Sequence, residues 1–154
     1  MCQTDLPAGY TMNLEDQLRC ERECARLCND FAWTVDARDY DAFVALFATD
    51  GIFDRAGQKS IGHEAIREFL DARPVNRVTR HICTNIRFDM TGPDTATGTC
   101  SALMYQAPAA KEAQPSQPLP VSPPVVVDYV DAYVLTGGGW KFKCRKVSVV
   151  FSPA

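Results

Sequence analysis

Two histidines, His63 and His81, are the side chains of this 154-residue chain best suited to moving protons. An imidazole ionises near neutral pH, so it can serve as an acid or as a base. His63 begins a predicted helix, where a surface position without a chemical role is the ordinary interpretation. His81 lies in an alternating segment that predicts a strand, with the imidazole on the face opposite the isoleucines. His81 is therefore the candidate base, provided that its face lines a pocket.

Asp36 is the candidate partner of His81. A carboxylate on one imidazole nitrogen fixes the tautomer of the ring and leaves the other nitrogen as a base. Asp36 follows a largely apolar helical segment and precedes the charged turn Ala37-Arg38-Asp39. The spacing leaves an alternative open, because an aspartate at a helix end is commonly a solvated acid.

Arg145 is a third candidate, because a guanidinium in a pocket can hold a carboxylate, an enolate oxygen or a departing anion. It lies on the last predicted strand, where a solvated strand face is the alternative interpretation. Aromatic residues could form the apolar walls of the pocket, although in a small domain they are more often core. The candidates are Phe31, Trp33, Phe53 and Tyr129.

Cys20, Cys24 and Cys28 recur every four residues and would form one stripe along a helix. A structural zinc site needs four ligands, and no second CxxC or HxxxH motif completes this set. Phosphate-binding loops and GxSxG or HExxH motifs are also absent from the sequence. We interpret the three cysteines as small packing residues and expect neither a metal nor a cofactor.

Three helices are predicted to position the candidate residues. Asn13 can cap the first, which continues to Val35 because apolar and small residues recur with helical spacing. A second helix is predicted over about residues 39–47 and a third over about 63–72, ending before Pro74. A short strand, 52–55, lies between them.

Four longer strands follow, at 79–90, 95–106, 125–135 and 140–151. Glycine-containing turns join the first two and the last two, which predicts a meander of antiparallel strands. Residues 107–124 are rich in proline and are predicted as a long loop, and residues 1–12 as an irregular leader. The elements predict an α+β fold in which a curved antiparallel sheet wraps over three helices.

Length and composition predict a single domain over residues 1–154, with 46% apolar and 23% charged residues. The net charge of −3 and the scattered lysines and arginines argue against nucleic acid as a partner. No segment approaches the roughly 20 apolar residues that span a bilayer. Residues 1–12 lack a basic start followed by an apolar run, so we expect no membrane partner and a cytoplasmic location.

Four stretches, in this order of elements, resemble the SnoaL-like branch of the nuclear transport factor 2 superfamily. They are Trp33–Tyr40, Gly51–Asp54, His81–Arg87 and the segment from Asp131–Tyr133 through Gly139–Phe142. The resemblance covers about residues 14–151. It implies the cone-shaped α+β barrel, also called the cystatin-like fold, of the scytalone dehydratase and hexachlorocyclohexane dehydrochlorinase type.

In that pattern an aspartate ending the first helix orients a histidine on the third strand, which removes a proton. Asp36 and His81 occupy those positions. The resemblance also implies Arg145 as a site residue, since it stands five residues after the tryptophan of a Trp-Lys-Phe motif. Phe53 and Tyr129 match aromatic wall positions, and Phe31 occupies the position of a pocket lysine. We expect these three aromatic residues to contact the substrate.

The predicted function is a cofactor-independent, dehydratase-like lyase or isomerase acting on a hydrophobic small molecule in a buried pocket. His81 would take a proton, Asp36 would stabilise the imidazolium, and Arg145 would hold developing negative charge or the departing group. One alternative is a non-catalytic protein that binds an apolar ligand or supports an enzyme, like a dioxygenase small subunit. Another is a polyketide cyclase. Relatives associate, so a homo-oligomer, either a dimer or a trimer, is expected.

Overall fold

The computed structural model describes residues 13–108 and 118–153. The described helices are α1 (Leu14–Ala37), α2 (Tyr40–Val44) and α3 (Gly62–Asp71). The described strands are β1 (Phe47–Arg55), β2 (Gln58–Ile61), β3 (Arg77–Met90), β4 (Thr95–Pro108), β5 (Val125–Thr136) and β6 (Gly139–Phe151). None of the described helices combines the length and the hydropathy needed to cross a membrane.

The six strands form one sheet in the order β2-β1-β6-β5-β4-β3. β3 to β6 are consecutive neighbours, so the predicted antiparallel meander is confirmed. β1 joins β6 in the one parallel pairing of the described sheet. β1 begins at Phe47 rather than at the predicted Ile52, because α2 ends at Val44 and not at about residue 47. The α+β class is confirmed, with a sheet that is mostly rather than wholly antiparallel.

α1 is capped at both ends. The Asn13 side chain accepts a hydrogen bond from the backbone N–H of Asp16 at 2.8 Å. Arg38, with a φ of 59°, ends the helix, and its N–H bonds the carbonyls of Thr34 and Val35. Along the buried face, Cys20, Cys24 and Cys28 are all 0% exposed. The cysteine stripe is therefore packed in the core, as the packing interpretation predicts.

A β-bulge interrupts β3 and changes which residues share a face. The pairing with β4 shifts between Thr84 and Arg87, and Asn85 takes a φ of 53°. One extra residue in a strand reverses the alternation of side chains beyond it. His81 faces inward before the bulge and Ile86 faces inward after it, whereas Ile82 is exposed. The prediction that both isoleucines lie opposite His81 is wrong for Ile86.

The predicted loop at 107–124 is partly strand. β4 continues through Ala107 and Pro108, because both residues keep their register with Val78 and Arg77 of β3. Residues 118–124 contain no helix or strand. The rest of the predicted loop, 109–117, and the predicted leader, 1–12, lie outside the described residues.

Aromatic rings fill the space between α1, α2 and the sheet. Phe43, Phe47 and Phe142 are at most 1% exposed. The Phe47 centroid lies 5.7 Å from that of Phe43 and 5.2 Å from that of Phe142. Tilted and edge-on contacts at such separations are the favoured arrangement of aromatic pairs. The helices are thus held on the sheet by a continuous aromatic core.

Gly51 lies where β1 closes against β6, and its missing side chain permits that approach. A Cβ added here would lie 2.8 Å from the carbonyl oxygen of Ala48 and 2.9 Å from that of Phe142. Backbone atoms cannot rotate away, so we expect Gly51→Ala to lower the free energy of unfolding by about 1–3 kcal/mol, measured by urea unfolding. Gly137→Ala is the matched control, since an added Cβ there meets nothing within 4 Å. Equal stability of the two variants would contradict the close packing.

Candidate functional site

Asp36, in the last turn of α1, and His81, on the inner face of β3, are in direct contact. His81 Nδ1 lies 2.7 Å from Asp36 Oδ1, and the His81 backbone N–H donates to Asp36 Oδ2, also at 2.7 Å. The Asp36 side chain is only 10% exposed and the His81 side chain only 9%. Two attachments to one residue fix both the carboxylate and the imidazole, because neither can turn without losing a hydrogen bond. The structure therefore brings together the two residues that the sequence pairs.

Thr79 gives the same carboxylate a third hydrogen bond. Its hydroxyl lies 2.7 Å from Asp36 Oδ1, and the Arg73 guanidinium donates to the Thr79 oxygen at 3.2 Å. Arginine is a donor only, so the Thr79 oxygen accepts from it and the hydroxyl hydrogen points toward Asp36. The sequence reasoning missed both residues. A signal existed for Thr79, which precedes His81 by two positions and so shares its face of the strand.

These hydrogen bonds keep Asp36 ionised. Burial acts to raise the pKa of Asp36, but the hydrogen bonds from the His81 ring, the Thr79 hydroxyl and the His81 backbone outweigh it and leave the pKa below its ordinary value. An ionised carboxylate only accepts hydrogen bonds, so the neutral imidazole must carry its hydrogen on Nδ1. Within the described part of the chain, Nε2 has no hydrogen-bond partner. Nε2 is therefore the nitrogen available to another molecule.

His81 and Asp36 line an open cavity of about 540 Å³ between α1 and β3. Its walls are mainly apolar, with polar side chains at a few points. The lining residues are Asn29, Ala32, Trp33, Asp36, Ala37, Arg80, His81, Ile82 and Cys83. Trp33 is 76% exposed and Ile82 is 53% exposed, so both offer apolar surface to a molecule in the cavity. The sequence reasoning named Trp33 as a possible wall and missed Arg80 and Asn29.

Arg145 lies in the core and is not among the residues that line this cavity. It is 0% exposed and bonds Asp131 of β5 at two points, Nε to Oδ1 at 2.9 Å and Nη2 to Oδ2 at 2.7 Å. The guanidinium carbon also lies 4.2–4.4 Å from the ring centroids of Phe31, Tyr129 and Phe142. The alternative of a solvated strand face is therefore wrong, and the charge of Arg145 is already paired.

Phe31, Phe53 and Tyr129, predicted as substrate contacts, lie together in the aromatic core. They are 3%, 6% and 3% exposed. The ring centroid of Phe31 is 5.7 Å from that of Phe53 and 5.6 Å from that of Tyr129. None of the three belongs to the described lining of the cavity beside His81. The structure thus separates these aromatic residues from Asp36 and His81.

Cys28, Cys100 and Asp131 bring three possible metal-ligand atoms within 4.8 Å of one another. The Arg145 guanidinium occupies the same space, with Nη2 3.0 Å from the Cys28 sulfur and 2.7 Å from Asp131. A cation that is already bound there takes the electrostatic place of a metal ion. This group of ligand atoms is therefore an arginine site.

His63 has a contact of a different kind from that of His81. Its Nε2 lies 2.9 Å from the carbonyl oxygen of Phe47, which ties α3 to the start of β1. Among the described residues, His63 does not line the cavity beside His81. The position fits the structural role expected from the sequence.

Comparison with known proteins identifies the fold and the family. The curved, mostly antiparallel sheet over three helices is the cystatin-like α+β cone. The model of the SnoaL-like domain matches residues 16–146, and the chain therefore belongs to the SnoaL-like domain family. The resemblance seen in the sequence is confirmed. The comparison with curated protein sequences gave no significant match.

Three solved structures share this fold. A candidate scytalone dehydratase from Novosphingobium aromaticivorans DSM 12444 has a TM-score of 0.77 and 20% identity, covering 90% of this chain and 89% of that one. A type 3 hexachlorocyclohexane dehydrochlorinase from Novosphingobium barchaimii LL02 has a TM-score of 0.74 and 19% identity, covering 90% and 92%. An NTF2-like protein with a cystatin-like fold, from Novosphingobium aromaticivorans, has a TM-score of 0.71 and 20% identity, covering 96% and 95%. At these identities the likeness establishes the fold.

The lowered pKa of Asp36 predicts how stability depends on pH. The folded chain holds Asp36 ionised to a lower pH than the unfolded chain, whose aspartates titrate at about pH 3.9. The stabilisation is complete above that unfolded value and is lost as the pH falls through the folded one. We therefore expect the difference in unfolding free energy between wild type and Asp36→Asn to be largest at neutral pH and to shrink below about pH 4.

Urea unfolding at a series of pH values measures this difference. Asp94→Asn, at an exposed position in the turn between β3 and β4, controls for the loss of one surface charge. A difference for Asp36→Asn that stays constant from neutral to acidic pH would contradict the prediction.

The ion pair between Arg145 and Asp131 predicts a large effect of removing one partner. Arg145→Met leaves the Asp131 carboxylate buried without its cation, so we expect a loss of about 3–5 kcal/mol in the free energy of unfolding. Arg145→Met combined with Asp131→Leu removes both charges and should recover most of that loss. Chemical denaturation of the two variants and wild type measures both effects. A single variant as stable as wild type would refute the assignment of the pair to the folded core.

Proposed function

We propose that this protein is a cofactor-independent lyase or isomerase in which His81 removes a proton from a carbon next to a carbonyl group of an apolar small molecule. One observation carries the proposal. The ring of His81 lines a cavity of about 540 Å³, while its Nδ1 lies 2.7 Å from the ionised carboxylate of Asp36. The scytalone dehydratase and dehydrochlorinase names of the structural neighbours support the same class.

The proposed proton transfer uses the two ring nitrogens differently. Nδ1–H donates to Asp36, so the lone pair of Nε2 is available to take a proton from a molecule in the cavity. The resulting imidazolium is stabilised by the carboxylate, with which it shares a largely dehydrated environment. Asp36 does not itself take the proton, because three hydrogen bonds favour its charged form.

The cavity wall supports an apolar ring as the substrate framework. Ala32, Trp33 and Ile82 provide apolar contacts, and Arg80 and Asn29 carry the donors that could meet a carbonyl or an enolate oxygen. Arg80 is exposed, and the one described hydrogen bond of its side chain is to the backbone oxygen of Thr79. In this proposal Arg80 takes the role that the sequence gave to Arg145, whose charge is paired with Asp131.

The test follows proton removal directly, so it does not require the leaving group to be known. Exchange of the α protons of β-tetralone and related apolar ketones in D₂O is measured by ¹H NMR with wild-type protein and variants. We expect wild type to accelerate exchange, and His81→Gln and Asp36→Asn to lose about 10²–10⁴-fold of the rate. His63→Gln is the matched control, because it removes the other histidine of the chain and leaves the cavity unchanged.

Two outcomes would count against the proposal. Exchange at the wild-type rate in His81→Gln would exclude this residue as the base. Saturable binding of the ketones without exchange would favour the alternative of a non-catalytic ligand-binding protein, to which the exposed Trp33 ring also offers a surface. A polyketide cyclase would use the same base and the same cavity and would differ in its substrate.

A homo-oligomer and a cytoplasmic location stay predictions. The outer face of the sheet supports association, because apolar side chains in register form a row across four strands. The row consists of Ile82, Leu103, Val126 and Phe151. Its two ends, Ile82 and Phe151, are 53% and 66% exposed.

A further inference from the structure

Arg73, in the connection between α3 and β3, contacts the candidate site from outside the described cavity. Its half-buried side chain donates three hydrogen bonds, each to a different element. Nη1 donates to the backbone oxygen of Val35 on α1 at 2.9 Å and to the Tyr40 hydroxyl on α2 at 3.4 Å. Nη2 donates to the Thr79 hydroxyl on β3 at 3.2 Å. One guanidinium thus joins α1, α2 and β3 next to Asp36.

The three acceptors of Arg73 are uncharged, so its charge is not spent on a direct ion pair. Among the described residues, Arg73 joins none of the ion pairs. The aspartates of α2 and α3, Asp41 and Asp71, pair with Arg67 instead. A hydrogen bond from a cation is stronger than one between neutral groups and polarises the group that accepts it.

The Thr79 hydroxyl lies between this cation and the Asp36 carboxylate. It accepts from Arg73, and its own hydrogen points to Asp36 Oδ1 at 2.7 Å. Both hydrogen bonds of the hydroxyl are therefore charge-assisted. Rotation of the Thr79 side chain about χ1 would break the two bonds together, and a β-branched side chain has few other rotamers. Arg73 thus holds the hydroxyl against Asp36, as a bridge between two charges.

A second arginine, Arg38, fixes the segment that carries Arg73. The Arg38 guanidinium donates to the backbone oxygen of Pro74, to that of Arg77 at 3.1 Å and to the Tyr40 hydroxyl at 3.0 Å. Pro74 directly follows Arg73, so the end of α1 holds the connection from which Arg73 reaches back to α1. The two arginines also share the Tyr40 hydroxyl as an acceptor.

We propose that Arg73 is a positioning residue for the pair of Asp36 and His81, and that it acts on Asp36 through the Thr79 hydroxyl. The inference rests on the proposed function, because it assigns Arg73 to the same proton transfer. The bridge keeps the carboxylate charged and fixed beside His81 Nδ1, where it stabilises the imidazolium. No proton moves along the bridge, because arginine keeps its protons in proteins.

The other charged groups around Asp36 have different contacts. Burial acts to raise the pKa of Asp36, while the hydrogen bonds from His81 and from the Thr79 hydroxyl, and the charge of the His81 ring, lower it. Arg80 is exposed and donates to a backbone oxygen of β3. Asp39 accepts from a backbone N–H of α2. Arg73 is the cation that bonds the Thr79 hydroxyl in the described chain.

A double-mutant cycle tests whether Arg73 acts through Thr79. The pKa of Asp36 is read from its carboxyl ¹³C shift by NMR across a pH titration of the whole labelled chain. Thr79→Val removes the hydroxyl, so we expect the pKa of Asp36 to rise by about one pH unit. Arg73→Met should raise it by roughly half as much, because the hydroxyl loses its polarising partner. In the double variant, Arg73→Met should add little to Thr79→Val.

Two matched controls accompany the cycle. Thr79→Ser keeps a hydroxyl, so Arg73→Met should keep its full effect in that background. Arg77→Met removes one positive charge from the same connection and should leave the pKa of Asp36 unchanged. The Arg77 side chain is exposed, and its contact with Arg38 uses the backbone oxygen. If Arg73→Met does not fold, Arg73→Lys keeps the charge without the planar fork and should give a smaller rise.

Equal rises from Arg73→Met with and without the Thr79 hydroxyl would overturn the bridge, because the charge would then act directly through space. An unchanged pKa of Asp36 in folded Arg73→Met would overturn it as well. The titration needs no turnover. A bridge seen in a protein that exchanges no α protons would therefore support this inference while counting against the proposed function.

Where exchange of ketone α protons is observed, its kinetics give a second readout. Arg73 is not among the residues that line the described cavity, so Arg73→Met should lower kcat several-fold and leave KM unchanged. A raised KM with an unchanged kcat would overturn the positioning role.

Discussion

The Asp36 carboxylate joins the end of α1 to the inner face of β3, and the whole candidate site depends on this attachment. It accepts from the Thr79 hydroxyl, the His81 backbone and the His81 ring, each at 2.7 Å. Because a buried carboxylate needs such partners, the contacts that keep Asp36 ionised also fix the imidazole. The cavity opens beside this junction, so the position of the base and the position of a ligand are set by the same hydrogen bonds.

A second charge, that of Arg145, is buried farther from the solvent. The Arg145 guanidinium and its partner Asp131 are stacked among aromatic rings in the space between the helices and the sheet. A buried ion pair must stay paired, since separating it would leave a charge without solvation. The cavity beside His81 lies elsewhere, between α1 and β3. The same guanidinium also donates to the buried sulfur atoms of Cys28 and Cys100.

Membership of the SnoaL-like family accounts for the order of elements. The cavity of this chain is lined by side chains of different chemical kinds. Trp33, Arg80 and Cys83 give it an apolar ring, a cation and a thiol beside the imidazole. Each adds a different kind of contact to the same small volume. We infer that ligand choice depends more on these side chains than on the fold.

The sequence by itself determined the features that nearby residues encode. The Asn13 cap and helical spacing predicted α1, and the glycine turns predicted the strand meander. The pairing of Asp36 with His81, which are 45 residues apart, came instead from the resemblance to the SnoaL-like family. Only the tertiary structure decided the remaining features, because they depend on segments that are distant in the sequence. The bulge at Asn85 depends on pairing with β4, and the fate of Arg145 depends on a carboxylate from β5. Periodicity reports which face a side chain takes, whereas burial and charge pairing depend on what other elements bring to that face.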